Sequence, residues 1–390
     1  MSRSPPREAI SRGERLSVDQ NAKRLMEGCA ACVEGALKAG CNFFAGYPIS
    51  PSTEIMNMMA RRMPKSGGVF VQMEDEIASI AAVIGASWAG AKAMSATSGP
   101  GLTLMLENLG YAFATETPLV LVDVQRCGPS TGQATRPGQG DVMQARFGSS
   151  GDYETIALAP WSVQEMYEMT ARAFNLAERY RLPVFLMTDE LVTHLHEVVN
   201  LDVPVEIVER AKPHGQPPFG DPKTNAMTPM PCFGTGEKLL VTGSTHDEWG
   251  YRRTTDPEVQ RKLVERITEK VTKDREALAE VEEHNTDDAE TILVSFGFSA
   301  RSSYAAMRMA REQGHKVGLA RLKTLWPFPQ GAIRRIGERA KRLMVVEMNT
   351  GMVRREVERF APCPVCGVHK VEGEPIPPAE ILKALGSFAV

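Results

Sequence analysis

The stretch VQMEDEIASIAAVIGASWAGAKAMSATSGPGL, residues 71–102, decides the fold of this chain. Residues 68–73 are mostly apolar, and apolar side chains then recur every three or four positions from Ile77 to Trp88, which is helical spacing. Another mostly apolar run follows at 93–97. A strand, a helix and a strand in immediate succession predict two parallel strands of one sheet, joined by a crossover helix.

Three carboxylates, Glu74, Asp75 and Glu76, lie at the joint between the first strand and its helix. Ligands of open α/β sheets bind outside the carboxyl ends of the strands, so acids at this joint are candidates for a site. The alternative is that they cap the helix and complement its dipole. The pattern favours capping for Glu74 and Asp75 and leaves Glu76 undecided.

The same alternation extends through most of the chain. The first series has predicted strands at 42–45, 68–73, 93–97, 118–125 and 183–187, helices at 21–38, from 52, to 88, at 101–115 and at 161–180, and a long loop at 127–151. The second series has strands at 291–296, 316–321 and 342–347 and helices at 301–313, after 329 and from 352. Strands separated by helices predict a doubly wound parallel sheet followed by a second α/β domain.

Between the two series, prolines and glycines crowd residues 202–250, and a highly charged helix is predicted at 256–284. A chain of 390 residues is long enough for two domains with full cores. The expected division is a polar tail at 1–20, a first domain at 21–201, a linker with the charged helix at 202–287, and a second domain at 288–390.

The charge balance argues against two classes of partner. The 45 basic and 48 acidic residues are interspersed and give a net charge of −3, which is not a field suited to nucleic acid or to an anionic membrane. The basic N-terminus has no apolar run after it, and no stretch approaches the roughly 20 apolar residues of a membrane helix. We therefore expect a cytoplasmic protein without nucleic-acid or membrane partners.

Two CxxC pairs, Cys29/Cys32 and Cys363/Cys366, raise the question of a metal. That spacing lets two thiolates meet one metal, but each pair lacks its second half. The alternative is that these cysteines serve as small apolar residues. His194 and His196 alternate like strand residues and have no third ligand nearby, so no metal site is predicted on this chain.

Three motifs together resemble one enzyme family. They are GYPISPSTEIMN (46–57), TSGPGLTLMLENLGYAFATETPLVLVDVQR (97–126) and GDVMQARFGSSGDY (140–153). They are similar to the pyrimidine-binding alpha subunit of the 2-oxoacid:ferredoxin oxidoreductases, most closely in the branch that uses 2-oxoglutarate. The segments GHKVGLARLKTLWPFP (314–329) and VVEMNTGMVRREVER (345–359) resemble the family's transketolase C-terminal-like domain. The resemblance implies that residues 21–201 bind the pyrimidine of thiamine diphosphate.

The resemblance also implies roles for individual residues. Glu76 aligns with the carboxylate that hydrogen-bonds the pyrimidine N1′, which favours the tautomer whose amino group deprotonates the cofactor. Ser50 stands where the family usually has threonine and offers a hydroxyl to the substrate or cofactor, although it also suits a turn between two prolines. Arg126 matches the arginine that pairs with the substrate carboxylate, and the alternative is a surface arginine at a strand end.

Two further groups complete the expected site. Thr97, Ser98 and Gly99, in a small-residue loop that opens a helix, are expected to line the pyrimidine and substrate side. Thr131 and Arg136, in the loop after Arg126, are expected to meet the distal carboxylate of a dicarboxylic 2-oxoacid, although Arg136 also suits a plain loop position.

The expected enzyme is inactive as this chain alone. The sequence has neither a GDG…N diphosphate motif nor a cluster-binding cysteine set, so the resemblance implies a beta subunit that supplies Mg²⁺, the diphosphate contacts and a [4Fe–4S] cluster. Gamma and delta subunits, ferredoxin, CoA and a 2-oxoacid complete the expected partners. The alternatives are a pyruvate or branched-chain 2-oxoacid oxidoreductase, another thiamine-dependent enzyme, or a non-catalytic assembly subunit.

Overall fold

The computed structural model describes residues 23–211, 213, 215–237 and 239–387. The strands are β1 (Lys23–Glu27), β2 (Phe43–Gly46), β3 (Val69–Gln72), β4 (Ala93–Thr97), β5 (Leu119–Cys127), β6 (Gln133–Pro137), β7 (Ile156–Leu158), β8 (Pro183–Asp189), β9 (His196–Asn200), β10 (Val281–His284), β11 (Thr291–Ser295), β12 (Val317–Leu322), β13 (Thr324–Trp326), β14 (Arg342–Glu347) and β15 (Val365–His369). The polar tail predicted at 1–20 lies outside the described residues.

The helices alternate with these strands. They are α1 (Gly28–Lys38), α2 (Thr53–Arg62), α3 (Glu76–Trp88), α4 (Gly99–Ala114), α5 (Val142–Phe147), α6 (Val163–Tyr180), α7 (Glu190–His194), α8 (Pro257–Thr272), α9 (Arg275–Leu278), α10 (Gly297–Glu312), α11 (Gln330–Arg339), α12 (Met352–Phe360) and α13 (Pro378–Ser387). Among the described residues, no helix combines the length and the apolar character that crossing a membrane would take.

The larger sheet has the order β13-β7-β8-β5-β4-β2-β3, and β6 pairs with the end of β5. The pairs from β7 to β3 are parallel, whereas β13 and β6 run antiparallel to their neighbours. Every residue of β5 and β8 is buried, so both faces of the sheet are covered, as is typical of parallel sheets. The prediction of a parallel α/β first domain is confirmed.

The smaller sheet has the order β10-β12-β11-β14-β15. Its strands are parallel except β10, which runs antiparallel to β12. The predicted second α/β domain is therefore also present. Strand β13 follows β12 in the chain but joins the larger sheet, where Thr324 lies opposite Leu158. We propose the domain division predicted from the sequence, with one addition. Strand β13, from the C-terminal part of the chain, completes the sheet of the first domain.

Three predicted elements were wrong, and the first is the helix at 21–38. Residues 23–27 form β1, which pairs antiparallel with β9, and the helix begins at Gly28. A Cβ at Gly28 would lie 2.3 Å from the carbonyl oxygen of Val192, so the chain passes too close to α7 for any side chain there. This long-range pairing overrides the local pattern, and His194 and His196, predicted to share a strand, instead end α7 and begin β9.

The second wrong element is the charged helix at 256–284. It ends at Thr272, a short helix follows, and residues Val281–His284 form β10, in which Glu282 lies opposite Arg321. The third is the loop at 127–151, which contains β6 and α5. Strand β10 pairs with β12, which is distant in sequence, and β6 pairs with β5 across a turn. Local periodicity does not reveal pairing of this kind.

Gln139 joins the two domains beside the carboxyl ends of the larger sheet. Its side-chain Nε2 donates to Asp189 of β8 at 3.2 Å and to the Phe296 carbonyl oxygen at 3.1 Å. Its Oε1 accepts from the Ser299 hydroxyl at 2.8 Å and from the Met348 N–H at 3.0 Å. A fully buried glutamine with all of these partners fixes the second domain against the loop that follows Arg126.

Candidate active site

A cavity of about 540 Å³ opens where the loops after β4 and β5 meet the second domain. Both domains line it, since Gly99, Thr103, Arg126 and Asp141 face Met348, Asn349 and Thr350. The loop after β5 adds Gly128, Pro129 and Ser130. The cavity lies at the carboxyl ends of the parallel strands, where open α/β sheets place their ligands.

The structure separates the three acids at the start of α3. Asp75 is the helix cap, and its carboxylate accepts from the Ala78 N–H at 2.7 Å, while Glu74 is exposed. Glu76 is the first helical residue and is 5% exposed. Burial and then repulsion from Asp75 raise the pKa of Glu76, against the opposing effects of its own N–H and of Arg126. Capping therefore belongs to Asp75, and Glu76 is free for another role.

Arg126 and Ser50 meet at one edge of the site. Arg126 lies near the end of β5 and is 7% exposed, and its Nη1 donates to the Ser50 carbonyl oxygen at 2.7 Å. Its Nε is buried and has no acceptor among the described residues. Burial lowers the pKa of the guanidinium, while Asp141 and Glu76 act in the opposite direction. Arg126 thus offers an unused donor edge beside the cavity.

The small-residue loop lies between β4 and α4, as predicted. Thr97 and Ser98 are fully buried, Ser98 occupies the cap position of α4, and its hydroxyl has no partner in the described structure. A Cβ at Gly101 would lie 2.1 Å from Thr97 Oγ1 and 2.6 Å from Glu76 Oε1. Gly101 therefore fits only as glycine, because its missing side chain makes room for the Glu76 carboxylate.

Of the predicted site residues, only Gly99 and Arg126 line the cavity, and Thr131 and Arg136 lie at the surface. Thr131 is exposed, and Arg136, in β6, pairs with Glu374 at 2.7 Å with about half of each side chain exposed. Ser130 and Pro137, which adjoin them in sequence, do line the cavity. The structure thus leaves Thr131 and Arg136 exposed, next in sequence to residues of the cavity lining, and gives Arg136 a partner from the second domain.

The remaining candidates, two cysteines and one histidine, are buried in the fold. Cys29 and Cys32 are buried in α1, and burial raises the pKa of both thiols. His246 is buried against Phe219 with ring centroids 4.4 Å apart, and its Nδ1 lies 2.8 Å from the Ser244 carbonyl oxygen. Burial lowers the pKa of His246.

Sequence reasoning missed several residues of the site. Asp141 and Asn349 line the cavity, and Asp123 lies buried behind Asp141. A carboxylate inside the apolar run PLVLVDVQ was a signal for Asp123, because a strand buried on both faces rarely contains one. No local signal marked Asn349, since only the packing of the second domain brings it to the site.

The fold and the site define an α/β protein with a buried carboxylate and a buried guanidinium at the carboxyl ends of a parallel sheet. The sequence profile described as "Pyruvate flavodoxin/ferredoxin oxidoreductase, thiamine diP-bdg" matches residues 34–266, and "Pyruvate:ferredoxin oxidoreductase core domain II" matches residues 289–381. The chain belongs to this pyruvate flavodoxin/ferredoxin oxidoreductase family. Residues 34–266 match its thiamine diphosphate-binding domain.

Relatives with curated names agree on the enzyme class. The chain is 52% identical to 2-oxoglutarate synthase subunit KorA of Methanocaldococcus jannaschii, over 92% of this chain and 98% of the relative. It is 35% identical to ketoisovalerate oxidoreductase subunit VorB of Methanothermobacter thermautotrophicus, over 88% of this chain and 91% of the relative. This chain is therefore a subunit of an oxidoreductase.

One solved structure supports this assignment. The 2-oxoglutarate:ferredoxin oxidoreductase from Magnetococcus marinus superposes with a TM-score of 0.87 at 32% identity, over 94% of this chain and 65% of that chain. The present chain thus spans about two thirds of that protein's chain. A split-gene transketolase superposes with a TM-score of 0.55 at 13% identity, which shows a shared fold alone.

Proposed function

We propose that this chain is the alpha subunit of a thiamine diphosphate-dependent 2-oxoglutarate:ferredoxin oxidoreductase. The assembled enzyme converts 2-oxoglutarate, CoA and oxidised ferredoxin into succinyl-CoA, CO₂ and reduced ferredoxin, or runs the reverse carboxylation. One observation carries the proposal: the buried carboxylate of Glu76 lies close enough to Arg126, a buried guanidinium that lines the cavity, for each to influence the other's pKa. The higher identity to KorA than to VorB supports 2-oxoglutarate over a branched-chain substrate.

The residues present fit the pyrimidine ring of thiamine diphosphate. When bound, the cofactor supplies a carbon nucleophile that its own aminopyrimidine deprotonates. Glu76 would hold the ring nitrogen N1′, since its carboxyl group is buried, is not used as a helix cap and has a raised pKa suited to exchanging a proton. Thr97, Ser98 and Gly99 would line the same side, where the Ser98 hydroxyl has no partner among the described residues and can bond the ring.

The substrate carboxylate fits Arg126. Because Nη1 is held by the Ser50 carbonyl, the Nε edge remains for a planar carboxylate, which matches a guanidinium fork. We propose that the Ser50 hydroxyl assists at the substrate carbonyl or the cofactor, because the same backbone bond holds this turn beside Arg126. Together these groups bind and orient the 2-oxoacid next to the cofactor side of the cavity.

Thr131 and Arg136 remain the proposed partners of the distal carboxylate. They are part of the loop whose neighbouring residues line the cavity. Arg136 would have to leave Glu374, but both side chains are about half exposed, and an exposed ion pair contributes only about 0–1 kcal/mol. Little therefore opposes exchange of Glu374 for a substrate carboxylate.

Other subunits complete the site. The relatives' names describe subunits, and exposed apolar side chains lie on successive elements of the first domain, at Tyr47, Ile77, Leu104 and Phe147. Exposed apolar side chains of this kind suit a partner surface. We propose that a beta subunit covers them and supplies Mg²⁺, the diphosphate contacts and a [4Fe–4S] cluster, with gamma and delta subunits as further members and ferredoxin as electron acceptor.

The test is co-expression with the candidate beta subunit and measurement of CoA-dependent viologen reduction without oxygen. We expect activity with 2-oxoglutarate that is lost in Glu76→Gln. Activity only with pyruvate or ketoisovalerate would assign a different substrate and leave the proposed type of reaction unchanged. A complex that contains its cluster and thiamine diphosphate but is inactive with all three acids would contradict the proposal and favour an assembly role.

A further inference from the structure

Asp123 is buried in an unusual way. It lies in the middle of β5 with no exposed surface, between Thr97 of β4 and Met187 of β8. Neither oxygen of its carboxyl group receives a hydrogen bond from a donor in the described part of the chain. Burial of an ionised carboxylate without a donor is strongly unfavourable, so the protonation of this group calls for an explanation.

The neighbour of Asp123 is a second carboxyl group. Asp141, just before α5, faces it within hydrogen-bonding reach, and the Asp141 N–H donates to Gln125 Oε1 at 3.1 Å. Oδ2 of Asp141 is buried and, within the described residues, also lacks a donor. A Cβ at Gly99 would lie 2.8 Å from Asp141 Oδ1, so the start of α4 packs directly on this carboxyl group.

Two carboxyl groups in this arrangement hold at least one proton between them. Two negative charges at hydrogen-bonding distance in a low-dielectric site repel strongly, whereas one O–H donating to the other carboxylate satisfies both groups. Burial and then repulsion from Asp141 raise the pKa of Asp123 well above its ordinary value. Burial also raises the pKa of Asp141, to about 6, against the opposing effect of Arg126.

The pair shares its cation with the proposed substrate site. Arg126, the residue directly after Gln125 in β5, interacts electrostatically with Asp141 and with Glu76. The other polar residues that line this part of the cavity are uncharged: Thr103 of α4, Gln144 of α5 and Asn349 of the second domain. A change in the charge of the Asp123–Asp141 pair therefore acts mainly on Arg126.

We propose that Asp123 and Asp141 share one proton as positioning residues for Arg126, and that binding of the 2-oxoacid carboxylate to Arg126 takes up a second proton at this pair. With one proton, the pair carries a negative charge that competes with the substrate for the guanidinium. With a second proton from solvent, forming one more O–H bond, the pair is neutral and the competition ends. This inference rests on the proposed role of Arg126.

The test compares the assembled enzyme as wild type, Asp123→Asn, and the double variant Asp123→Asn/Asp141→Asn. In the single variant the amide takes the place of the protonated Asp123 and donates to Asp141, which can still take up the second proton, so the KM for 2-oxoglutarate should depend on pH as in the wild type. In the double variant no carboxyl group remains at the pair, so KM should be low at every pH. In the wild type, KM should rise with pH from this low level by up to about tenfold per pH unit, as the pair loses its second proton.

Calorimetry supplies a readout that does not depend on turnover. Titration of 2-oxoglutarate into the assembled complex without thiamine diphosphate, in buffers of different ionisation enthalpy, counts the protons taken up on binding. We expect uptake in the wild type and in Glu76→Gln, and none in the double variant. The control Asp152→Asn, which removes an exposed aspartate, should behave as the wild type.

Different results would contradict the substrate role of Arg126 and the shared proton of Asp123 and Asp141. An unchanged KM in Arg126→Lys would contradict the substrate role of Arg126. A raised KM in Arg126→Lys, combined with the same pH dependence of KM in all carboxyl variants, would overturn the shared-proton inference alone. If the asparagine variants do not assemble, binding without proton uptake in the wild type would overturn it, and uptake that persists in Glu76→Gln would support it.

Discussion

The Arg126 guanidinium donates to the backbone carbonyl of Ser50 at 2.7 Å, across 76 positions of sequence. The bond joins the end of β5 to the turn after β2, so it holds two loops of the site together. Because the acceptor is a backbone atom, the anchor depends on the arginine and on the path of the turn, and not on the serine side chain.

Replacement of Arg126 by lysine should weaken substrate binding. Lysine keeps a positive charge but loses the planar fork, and a charge-assisted hydrogen bond contributes roughly 1.5–3 kcal/mol, so KM for 2-oxoglutarate should rise about tenfold to a hundredfold. Steady-state kinetics of the assembled enzyme measures this change. Arg24→Lys, at an exposed position of β1, is the matched control and should leave KM unchanged.

Glu76→Gln should abolish most of the turnover. The amide keeps the shape of the side chain but cannot accept a proton, and positioned acid–base groups contribute about 10²- to 10⁴-fold, so kcat should fall by this factor. Glu74→Gln changes an exposed acid two residues away and should keep full activity. Equal losses in the two variants would mean that the acidic cluster acts as a whole and that Glu76 has no special role.

Removal of the Arg136 guanidinium tests the distal contact. Arg136→Gln should raise KM for 2-oxoglutarate by about tenfold, with a smaller effect on a monocarboxylic 2-oxoacid, because only the dicarboxylic substrate loses a charged hydrogen bond. Glu374→Gln breaks the same ion pair but keeps the guanidinium, so it should leave KM unchanged or lower it. A rise of KM in both variants would assign Arg136 to loop structure.

Gly101→Ala should disturb the site through Glu76. The new Cβ would collide with Glu76 Oε1 and Thr97 Oγ1, so thiamine diphosphate binding and activity should both decrease. Gly85→Ala in α3 adds the same methyl group where nothing lies within 4 Å, and should stabilise the helix by up to about 1 kcal/mol. Cofactor titration and thermal unfolding distinguish the two, and undisturbed cofactor binding in Gly101→Ala would show that Glu76 does not contact the cofactor.

Glu116→Gln should destabilise the chain. Glu116 is fully buried and pairs with Arg266 at 2.7 Å and with Lys270 at 3.0 Å, and removal of one partner of a buried ion pair costs about 3–5 kcal/mol. The free energy of unfolding from denaturant titration measures this loss. Glu258→Gln, which breaks an exposed pair with Arg261, is the control and should have little effect.

The same variant has a predicted pH dependence. Burial raises the pKa of Glu116, but Lys270, Arg266 and Arg181 outweigh burial and hold the pKa well below its ordinary value of 4.5. A carboxyl group whose pKa is lowered on folding stabilises the fold above its unfolded pKa, and this contribution is lost as the pH falls. The difference between wild type and Glu116→Gln should therefore be constant near neutrality and shrink below about pH 4.5.

Much of the fold was predictable because its signals are local. The helical spacing after Glu76 and the apolar runs at β4 and β14 placed these elements within a residue or two. The errors fell on segments that pair with distant strands, such as β1 with β9 and β10 with β12. A strand at a sheet edge or in a two-stranded ribbon has no buried periodicity of its own, so local patterns do not reveal it.

The sequence by itself determined the succession of strands and helices, the motifs that mark the family, and the position of Glu76 and Arg126 at strand ends. Tertiary structure alone decided that the Glu76 side chain is buried, that Ser50 and Arg126 meet, and that Asp123 faces Asp141. The physical reason is that burial, hydrogen-bond partners and the charges near a group depend on which chain segments pack together. Periodicity and residue type record which face of an element is apolar, and they carry no information on what that face contacts.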